Sequence, residues 1–238
     1  MIELYQFAPA WGLPNPSPFC IKLELYLKMA GLPFEVITEN DTRKGPKGKI
    51  PFIRDGGRTI GDSELVIRHL KDTYGDRVDG KLTAEQRARG HTIDRMLHDS
   101  TYWVLLQCRW VEDNGFDRVR EALFRDLSWP LSAIVPPLVR RGLRRSMVAQ
   151  GMGRHSRDEI FGFGLADMDA LSVLLGDKAF LLGDSPSSAD ATAHAFVMSF
   201  LGAPIDNPIR ERIQRTANLM AYYQRMNERY YPSLAAAR

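Results

Sequence analysis

The sequence predicts a two-domain protein in which a small α/β domain is followed by an all-helical domain. Over residues 1–77, short strand patterns alternate with helical ones in the order β-α-β-β-β-α. From residue 84 onward the apolar residues recur at helical spacing throughout. A polar stretch containing Gly80 lies between the two patterns. We therefore expect domains at 1–77 and 84–238, joined by a linker at about 78–83.

The elements of the first domain predict two helices packed on a small mixed sheet. A βαβ unit gives a parallel strand pair, and a hairpin turned at Asp55-Gly56-Gly57 adds an antiparallel pair. The expected strands are Ile2–Phe7, Phe34–Thr38, Pro51–Ile53 and Arg58–Ile60, and the expected helices are Ser17–Ala30 and one from Asp62.

The second domain shows only helical periodicity. Its first long helix carries apolar residues three, four and seven apart, at Ile93, Met96, Leu97, Val104, Cys108 and Val111. Farther along, Ser187-Ser188-Ala189-Asp190 is typical of a capping box, in which Asp190 returns a hydrogen bond to the N-cap residue Ser187. We assign Ser187 and Asp190 a structural role.

Composition excludes several classes of protein. The chain of 238 residues is 44% hydrophobic and 26% charged, as is usual for a soluble globular protein, and its net charge of +3 with scattered arginines does not indicate nucleic-acid binding. Apolar windows such as Leu131–Val139 are too short for a membrane span, and no leader pattern follows Met1. Cys20 and Cys108 have neither disulfide-framework nor zinc-ligand spacing. We expect a cytoplasmic protein without a metal.

Thiol chemistry is indicated by Ser17-Pro18-Phe19-Cys20, where a strand leads into a helix. A helix N-terminus offers free N–H groups and the positive end of the helix dipole, which stabilise a thiolate. Ser17 at the N-cap and Pro18 at the first helical position are also simply a good helix start. The two interpretations are compatible, because an N-cap hydroxyl that accepts an N–H can still donate its own hydrogen.

Two further features fit this turn. Ile50-Pro51 places a proline at a strand start, as an edge residue or a rigid and often cis turn, which exposes the Ile50 backbone for pairing with a bound peptide. Asp62-Ser63 opens a helix with a carboxylate, a hydroxyl and free N–H groups, which suit a ligand carrying an amine and a carboxylate.

Together these residues resemble the cytosolic glutathione transferase superfamily, which combines a thioredoxin-like N-terminal domain with an all-helical C-terminal domain. The segment Asn15–Glu24, followed by Lys28–Pro33 and by Gly45–Pro51, is more narrowly similar to the branch that includes metaxins, failed-axon-connections proteins and bacterial relatives. Some members of that branch have doubtful transferase activity. The resemblance implies a glutathione transferase, and the alternative is a non-catalytic, metaxin-like glutathione-binding or protein-interaction module.

The resemblance also implies residue roles. Ser17 matches the position that stabilises the glutathione thiolate, Ile50 before Pro51 the backbone partner of the cysteinyl unit, and Asp62 with Ser63 the holders of the γ-glutamyl end. Lys49 is expected near the glycine carboxylate, with Lys44 and Lys47 as alternatives. Glutathione is then a co-substrate, the partner a small hydrophobic electrophile, and the protein a homodimer.

Other residues keep alternative interpretations. Tyr5 is a second candidate hydroxyl donor, whereas Cys20 is expected to pack as a small apolar side chain. The acceptor substrate is expected between the domains, against Trp11, Phe19, His98, Tyr102 and Arg109, which domain packing alone would also explain.

The stretch 128–152 combines apolar residues with Arg140, Arg141, Arg144 and Arg145. It predicts a helix pair packed on the domain, and we do not expect membrane association. The alternatives are a partner-binding surface or an anionic membrane surface.

Overall fold

A computed structural model describes residues 1–235. Its first domain contains one mixed four-stranded sheet in the order β2-β1-β3-β4, with β1 parallel to β2 and the other pairs antiparallel. The strands are β1 Ile2–Gln6, β2 Phe34–Thr38, β3 Phe52–Asp55 and β4 Arg58–Gly61. Gly56 and Gly57 turn the hairpin with positive φ angles of 54° and 81°, which glycine adopts without strain. The predicted fold class is confirmed.

The helices follow one another with short connections. They are α1 Pro18–Ala30, α2 Ser63–Tyr74, α3 Ala84–Met96, α4 Tyr102–Leu106, α5 Asp113–Leu123, α6 Leu131–Gln150, α7 Arg157–Leu175, α8 Ser188–Gly202, α9 Pro208–Arg215, α10 Ala217–Tyr230 and α11 Pro232–Ala235. Two short 3-10 turns, Thr42–Lys44 and Pro46–Gly48, lie between β2 and β3. Residues 75–83, which include the predicted linker, connect α2 to α3. No helix within residues 1–235 is long and apolar enough to cross a membrane.

Helix α1 lies at the centre of the molecule. Phe19, Leu23, Tyr26, Leu27 and Ala30 form one apolar face at helical spacing, yet ten of the thirteen residues of α1 are buried, including Lys22 and Glu24. Ile2, Leu4 and Ile53 of the sheet share a core cluster with α1, and α8 of the helical domain also packs on this helix. A helix that is buried all round carries apolar residues on several faces, so a single stripe underestimates its burial.

The predicted long helix is a continuous run from Ala84 to Val111 with two π-helical stretches, Leu97–Thr101 and Gln107–Val111. Each π turn shifts the register of the side chains that follow it. The stretches contain His98 and Arg109, two of the residues expected at the acceptor site. The π turns therefore set how both side chains are aimed, which helical periodicity alone does not predict.

The capping box at Ser187 is present and fully buried. Asp190 Oδ2 accepts hydrogen bonds from the Ser187 N–H at 2.8 Å and from the Ser187 hydroxyl at 2.7 Å, while Oδ1 accepts from the Leu181 N–H at 2.9 Å. The carboxylate thus connects the start of α8 to the preceding loop. This is the structural role expected of the pair.

The predicted helix pair at 128–152 is wrong, because α6 is one helix that continues through Pro136 and Pro137. Both prolines remove N–H donors, but the carbonyl groups that lose a partner belong to a peripheral turn that is open to water. The peptide bonds Trp129–Pro130, before this helix, and Ile50–Pro51 are both cis.

Candidate functional site

The loop before α1 is held in place by side chains of both domains. Asn15 is buried, and it donates to the Phe7 carbonyl at 2.7 Å and accepts from the Ser17 N–H at 3.0 Å. Leu13 packs so closely on Gly202 that a Cβ added there would lie 2.1 Å from a Leu13 methyl carbon. The loop is therefore held at two places: Asn15 binds the residues that follow β1 and precede α1, and Leu13 packs on α8.

Ser17 is the N-cap residue of α1 and Pro18 occupies the first turn, as predicted. The expectation that the Ser17 hydroxyl accepts a backbone N–H is wrong, since the side chain makes no cap hydrogen bond. The hydroxyl instead hydrogen-bonds the thiol of Cys20, one turn into the helix. The backbone N–H groups of the first turn of α1, which no side chain caps, therefore lie beside the Ser17 hydroxyl.

Cys20 is a packing residue in this structure. Its side chain is fully buried in a cluster with Ile50 and Phe52. Burial raises the pKa of its thiol to about 12, although the Ser17 hydrogen bond opposes the rise. Such a thiol is protonated at neutral pH and unreactive.

The turn at Ile50-Pro51 lies beside the start of α1, because Ile50 packs against Cys20. Among residues 1–235, the Ile50 backbone takes part in no backbone hydrogen bond, whereas Phe52 already pairs with Tyr5 and Gly61. A backbone that is left unpaired just before a strand can form hydrogen bonds with an extended peptide. The Ile50 backbone is therefore available to a bound peptide.

Three lysines near this turn differ in availability. Lys44 is bound to Glu39 at 2.7 Å, so its charge is already paired. Lys47 and Lys49 are exposed and form no ion pair within the described part of the chain. These two residues are the available partners for a carboxylate.

Asp62 and Ser63 form the start of α2. Asp62 Oδ1 accepts from the N–H groups of Glu64 and Leu65 at 3.0 and 3.3 Å, and the Asp62 backbone has φ of 80°. A positive φ at a residue with a side chain is strained and is found preferentially at ligand sites. Ser63 is buried directly behind it. The first turn of α2 thus has the expected carboxylate and hydroxyl, whereas the expectation of free N–H groups is wrong for Glu64 and Leu65, because Asp62 already accepts from both.

A buried polar cluster connects this turn to the helical domain, and the sequence did not predict it. Lys22 of α1, only 1% exposed, forms an ion pair with Glu64, and its Nζ lies 3.4 Å from His98 Nε2. Arg95 donates to His98 Nδ1 at 3.1 Å. Burial, with Lys22 and Arg95 adding to it, lowers the pKa of His98 to about 3, so the imidazole is neutral.

Glu64 and His98, together with Asp94, also place potential metal-ligand atoms within 4.8 Å of one another. The Lys22 ammonium lies at this cluster and supplies a positive charge to it. The only sequence signal for the cluster was a lysine inside an otherwise apolar stretch, Ile21-Lys22-Leu23.

The expected acceptor residues fall into two groups that adjoin each other. Phe19 contacts Tyr102 edge to face, with ring centroids 4.9 Å apart, and contacts the tilted ring of His98 at 5.2 Å. Arg109 lies under the ring of Trp11, 5.1 Å from its centroid. Arg109 also lies near enough to Tyr102 to oppose the rise in that residue's pKa caused by burial. An aromatic surface therefore extends from the start of α1 to the end of the long helix.

The guanidinium of Arg109 is buried and engaged. It donates to the carbonyl of Pro16 and, at 2.7 Å, to the carbonyl of Ser199, and burial lowers its pKa to about 10. The side chain connects the residue before Ser17 to α8. These hydrogen bonds position the loop from Trp11 to Ser17. The guanidinium faces the two carbonyls and is not directed toward a substrate.

Tyr5, the alternative hydroxyl donor, lies elsewhere. Its ring stacks on Phe52 with centroids 4.4 Å apart, and its hydroxyl donates to Glu3 at 2.7 Å and accepts from Arg54 at 2.9 Å. The Glu3 hydrogen bond, with burial adding to it, raises the Tyr5 pKa. The hydroxyl is thus committed to two charged side chains, half-buried Glu3 and exposed Arg54.

A hollow of about 630 Å³ is open to solvent at the opposite end of α1 from Ser17. Lys28, Pro33, Arg229 and Tyr230 are among its lining residues. None of the residues of the candidate site lines it.

The architecture and the site together define a class: a thioredoxin-like domain whose first helix start, proline turn and second helix start converge beside an all-helical domain. Sequence comparison gives the family. The glutathione S-transferase N-terminal domain profile matches residues 18–115, and the C-terminal domain profile matches residues 164–226. The chain belongs to the glutathione S-transferase family.

Among its relatives is the isoprene-epoxide glutathione S-transferase of Rhodococcus sp. (strain AD45), which is 34% identical over 97% of this chain and 99% of that protein. Failed axon connections of Drosophila melanogaster is 30% identical over 98% of this chain, which spans 58% of that longer protein. Human Metaxin-2 is 23% identical over 89% of this chain and 81% of its own length. The chain is therefore placed in the metaxin-like branch, as the sequence motifs indicated.

Solved structures support the fold. The glutathione S-transferase of Ceriporiopsis subvermispora, solved in complex with glutathione, superposes with a TM-score of 0.66 at 19% identity, covering 96% of this chain and 97% of that one. At this identity the likeness concerns the fold alone.

Proposed function

We propose that this protein is a glutathione transferase that binds glutathione at the N-termini of α1 and α2 and conjugates it to a small hydrophobic electrophile. The observation that carries the proposal is the convergence of Ser17, the unpaired backbone of Ile50 and the Asp62-Ser63 turn. These groups match the thiol, the peptide backbone and the γ-glutamyl end of one extended tripeptide. Lys49 or Lys47 is the partner for its glycine carboxylate.

The energetics are sufficient for thiolate formation. A thiol with a pKa of about 8.5 must fall by about two units to be mostly ionised at neutral pH, which corresponds to ~2.7 kcal/mol. The helix terminus contributes ~0.3–1 kcal/mol, and a hydrogen bond to an anion contributes ~1.5–3 kcal/mol. The dipole of α1 and the Ser17 hydroxyl are therefore enough together, whereas the dipole alone is not.

In the reaction, the glutathione thiol loses its proton to solvent and the sulfur attacks an electrophilic carbon. A carbon–sulfur bond forms as the bond to the leaving atom breaks. For an epoxide, the class named for the Rhodococcus relative, that atom is the ring oxygen, which then takes a proton. The aromatic surface of Phe19 and Tyr102, with Trp11 beside it, suits a small apolar acceptor.

The second candidate function is a non-catalytic glutathione-binding or protein-interaction module. The similarity to Metaxin-2 and to Failed axon connections favours it. The experiment that separates the two is calorimetric titration with glutathione, followed by a conjugation assay with a small apolar epoxide. Glutathione binding with conjugation supports the transferase, and binding without conjugation supports the non-catalytic glutathione-binding module. Absence of glutathione binding excludes both of these functions.

A further inference from the structure

Helix α6 lies at the edge of the helical domain, in a part of the chain that neither family profile covers. One face holds it to the domain. Arg140 donates to the carbonyls of Trp110 and Val111 at 2.8 and 2.7 Å, and Arg144 donates to the Val111 carbonyl at 2.9 Å. Pro136 and Met147 are buried on this side.

The opposite face has no partner within residues 1–235. Side chains spaced three or four residues apart form one continuous exposed stripe: Leu131, Ile134, Leu138, Arg141 and Arg145. Leu131 and Ile134 are each 50% exposed and Leu138 is 60% exposed, and Trp129, just before the helix, is 83% exposed. We call this set the α6 stripe, with Trp129 included. It is apolar for two turns and cationic for the next two.

Charge is strongly segregated here. Between residues 127 and 157 there are six arginines and neither Asp nor Glu, although the whole chain has a net charge of only +3. Arg140 is paired with Asp113 and Arg157 with Glu112. Arg141 and Arg145 have no ion-pair partner in the described part of the chain, so their guanidinium groups are available to anions.

We propose that the α6 stripe docks this protein on the surface of a bilayer that contains anionic lipids. Trp129 and the leucine and isoleucine side chains would enter the boundary between headgroups and acyl chains, and Arg141 and Arg145 would bind lipid phosphates. Helices that lie in this boundary combine an apolar part rich in Leu and Trp with arginines. The protein lies on the membrane without crossing it, consistent with the lack of a spanning helix in residues 1–235.

Charge and shape favour this occupant over the alternatives. A second copy of the chain, packed about a two-fold axis at the apolar turns, would leave Arg141 and Arg145 of both copies without an anionic partner. A partner protein would need an apolar groove for Leu131, Ile134 and Leu138, and it would also need acidic residues opposite Arg141 and Arg145. An anionic bilayer offers both an apolar layer and a dense plane of phosphates.

The test is flotation of the full chain with vesicles of phosphatidylcholine alone and of phosphatidylcholine with phosphatidylglycerol. We expect binding to the anionic vesicles that weakens as salt is added, and much weaker binding to the neutral ones. An arginine near such a surface contributes about fivefold in partitioning, so the double variant Arg141→Gln/Arg145→Gln should bind about 25-fold more weakly. The double variant Ile134→Ser/Leu138→Ser should also lose binding.

The matched control is Arg118→Gln/Arg120→Gln, which removes the same charge from exposed positions of α5 that are paired with Glu121 and Asp117. It should bind as the parent protein does. All substituted positions are exposed, and circular dichroism checks that each variant is folded. Absence of binding to anionic vesicles, an equal loss in the control, or a dimer that the Ile134→Ser/Leu138→Ser variant dissociates would each overturn the proposal. Glutathione binding, measured in parallel, should be unchanged in every variant.

Discussion

The guanidinium of Arg109 donates a hydrogen bond to the carbonyl of Pro16, the residue that precedes Ser17. Through its second terminal nitrogen, the same side chain binds the Ser199 carbonyl on α8. One residue of the long helix therefore fixes the start of α1 relative to the helical domain. The position of the candidate thiolate donor depends on a contact between the domains.

Arg109→Met should destabilise the protein and impair the site. Both carbonyls would be left buried without a donor, at ~1–3 kcal/mol each, so we expect a loss of ~2–6 kcal/mol. Urea denaturation measures this loss, and glutathione titration measures the effect on the loop. Arg118→Met, at an exposed arginine, should change stability by less than ~0.5 kcal/mol. Equal stability of the two variants would contradict the role of Arg109.

Ser17→Ala should retain glutathione binding but raise the pKa of the bound thiol. Losing a hydrogen bond to an anion costs ~1.5–3 kcal/mol, which corresponds to about one to two pKa units. The pH profile of conjugation should therefore shift toward higher pH, as should thiolate absorbance in the ultraviolet. The control is Cys20→Ala, which removes the other partner of the Ser17 hydroxyl and should leave the pH profile in place. An unshifted profile for Ser17→Ala would exclude the assignment.

Stability should decrease in mild acid because of two buried histidines. Burial lowers the pKa of both His98 and His194 to about 3, whereas an unfolded imidazole titrates near pH ~6.5. Between these values only the unfolded chain binds the protons, so the free energy of unfolding falls as the pH falls through this window. From pH ~7 to ~5.5 we expect a loss of about 1 kcal/mol for each histidine.

Chemical denaturation at the two pH values measures this loss. His194→Phe, which keeps a ring among Tyr222, Tyr223 and Tyr231, should remove about half of it. His91→Gln, at an exposed position of α3, should leave it unchanged. A His194→Phe variant with the full acid dependence of the parent protein would contradict the assignment.

The protein contains a matched pair of capping boxes, one buried and one exposed. The exposed box is Ser156 with Glu159 at the start of α7, and the buried one is Ser187 with Asp190. Asp190→Ala should leave the N–H groups of Ser187 and Leu181 buried without acceptors and cost ~3–5 kcal/mol. Glu159→Ala removes the same type of contact beside water and should cost less than ~1 kcal/mol. Thermal or urea denaturation compares them, and similar losses would show that burial is not what makes the Asp190 box important.

Local sequence signals predicted the fold class and the residues at which the elements begin. The serine-proline start of α1, the Gly56-Gly57 hairpin and the Ser187 capping box depend on backbone preferences that a few neighbouring residues determine. Continuous helical periodicity did not reveal the π turns, and the proline pair suggested a break in α6 that does not occur. In both cases packing and exposure to solvent override the local pattern.

The sequence by itself determined that Ser17, Ile50 and Asp62 stand at a helix start, a proline turn and a second helix start of one α/β domain. Only the tertiary structure decided their surroundings. Lys22 meets Glu64 across 42 residues, and Arg109 meets Pro16 across 93 residues. These contacts form only when the helical domain packs on α1. A buried charge needs a partner, and packing determines which groups lie close enough to serve. The exposure of the α6 stripe was likewise decided by packing, since the same apolar spacing describes a buried face and an exposed one.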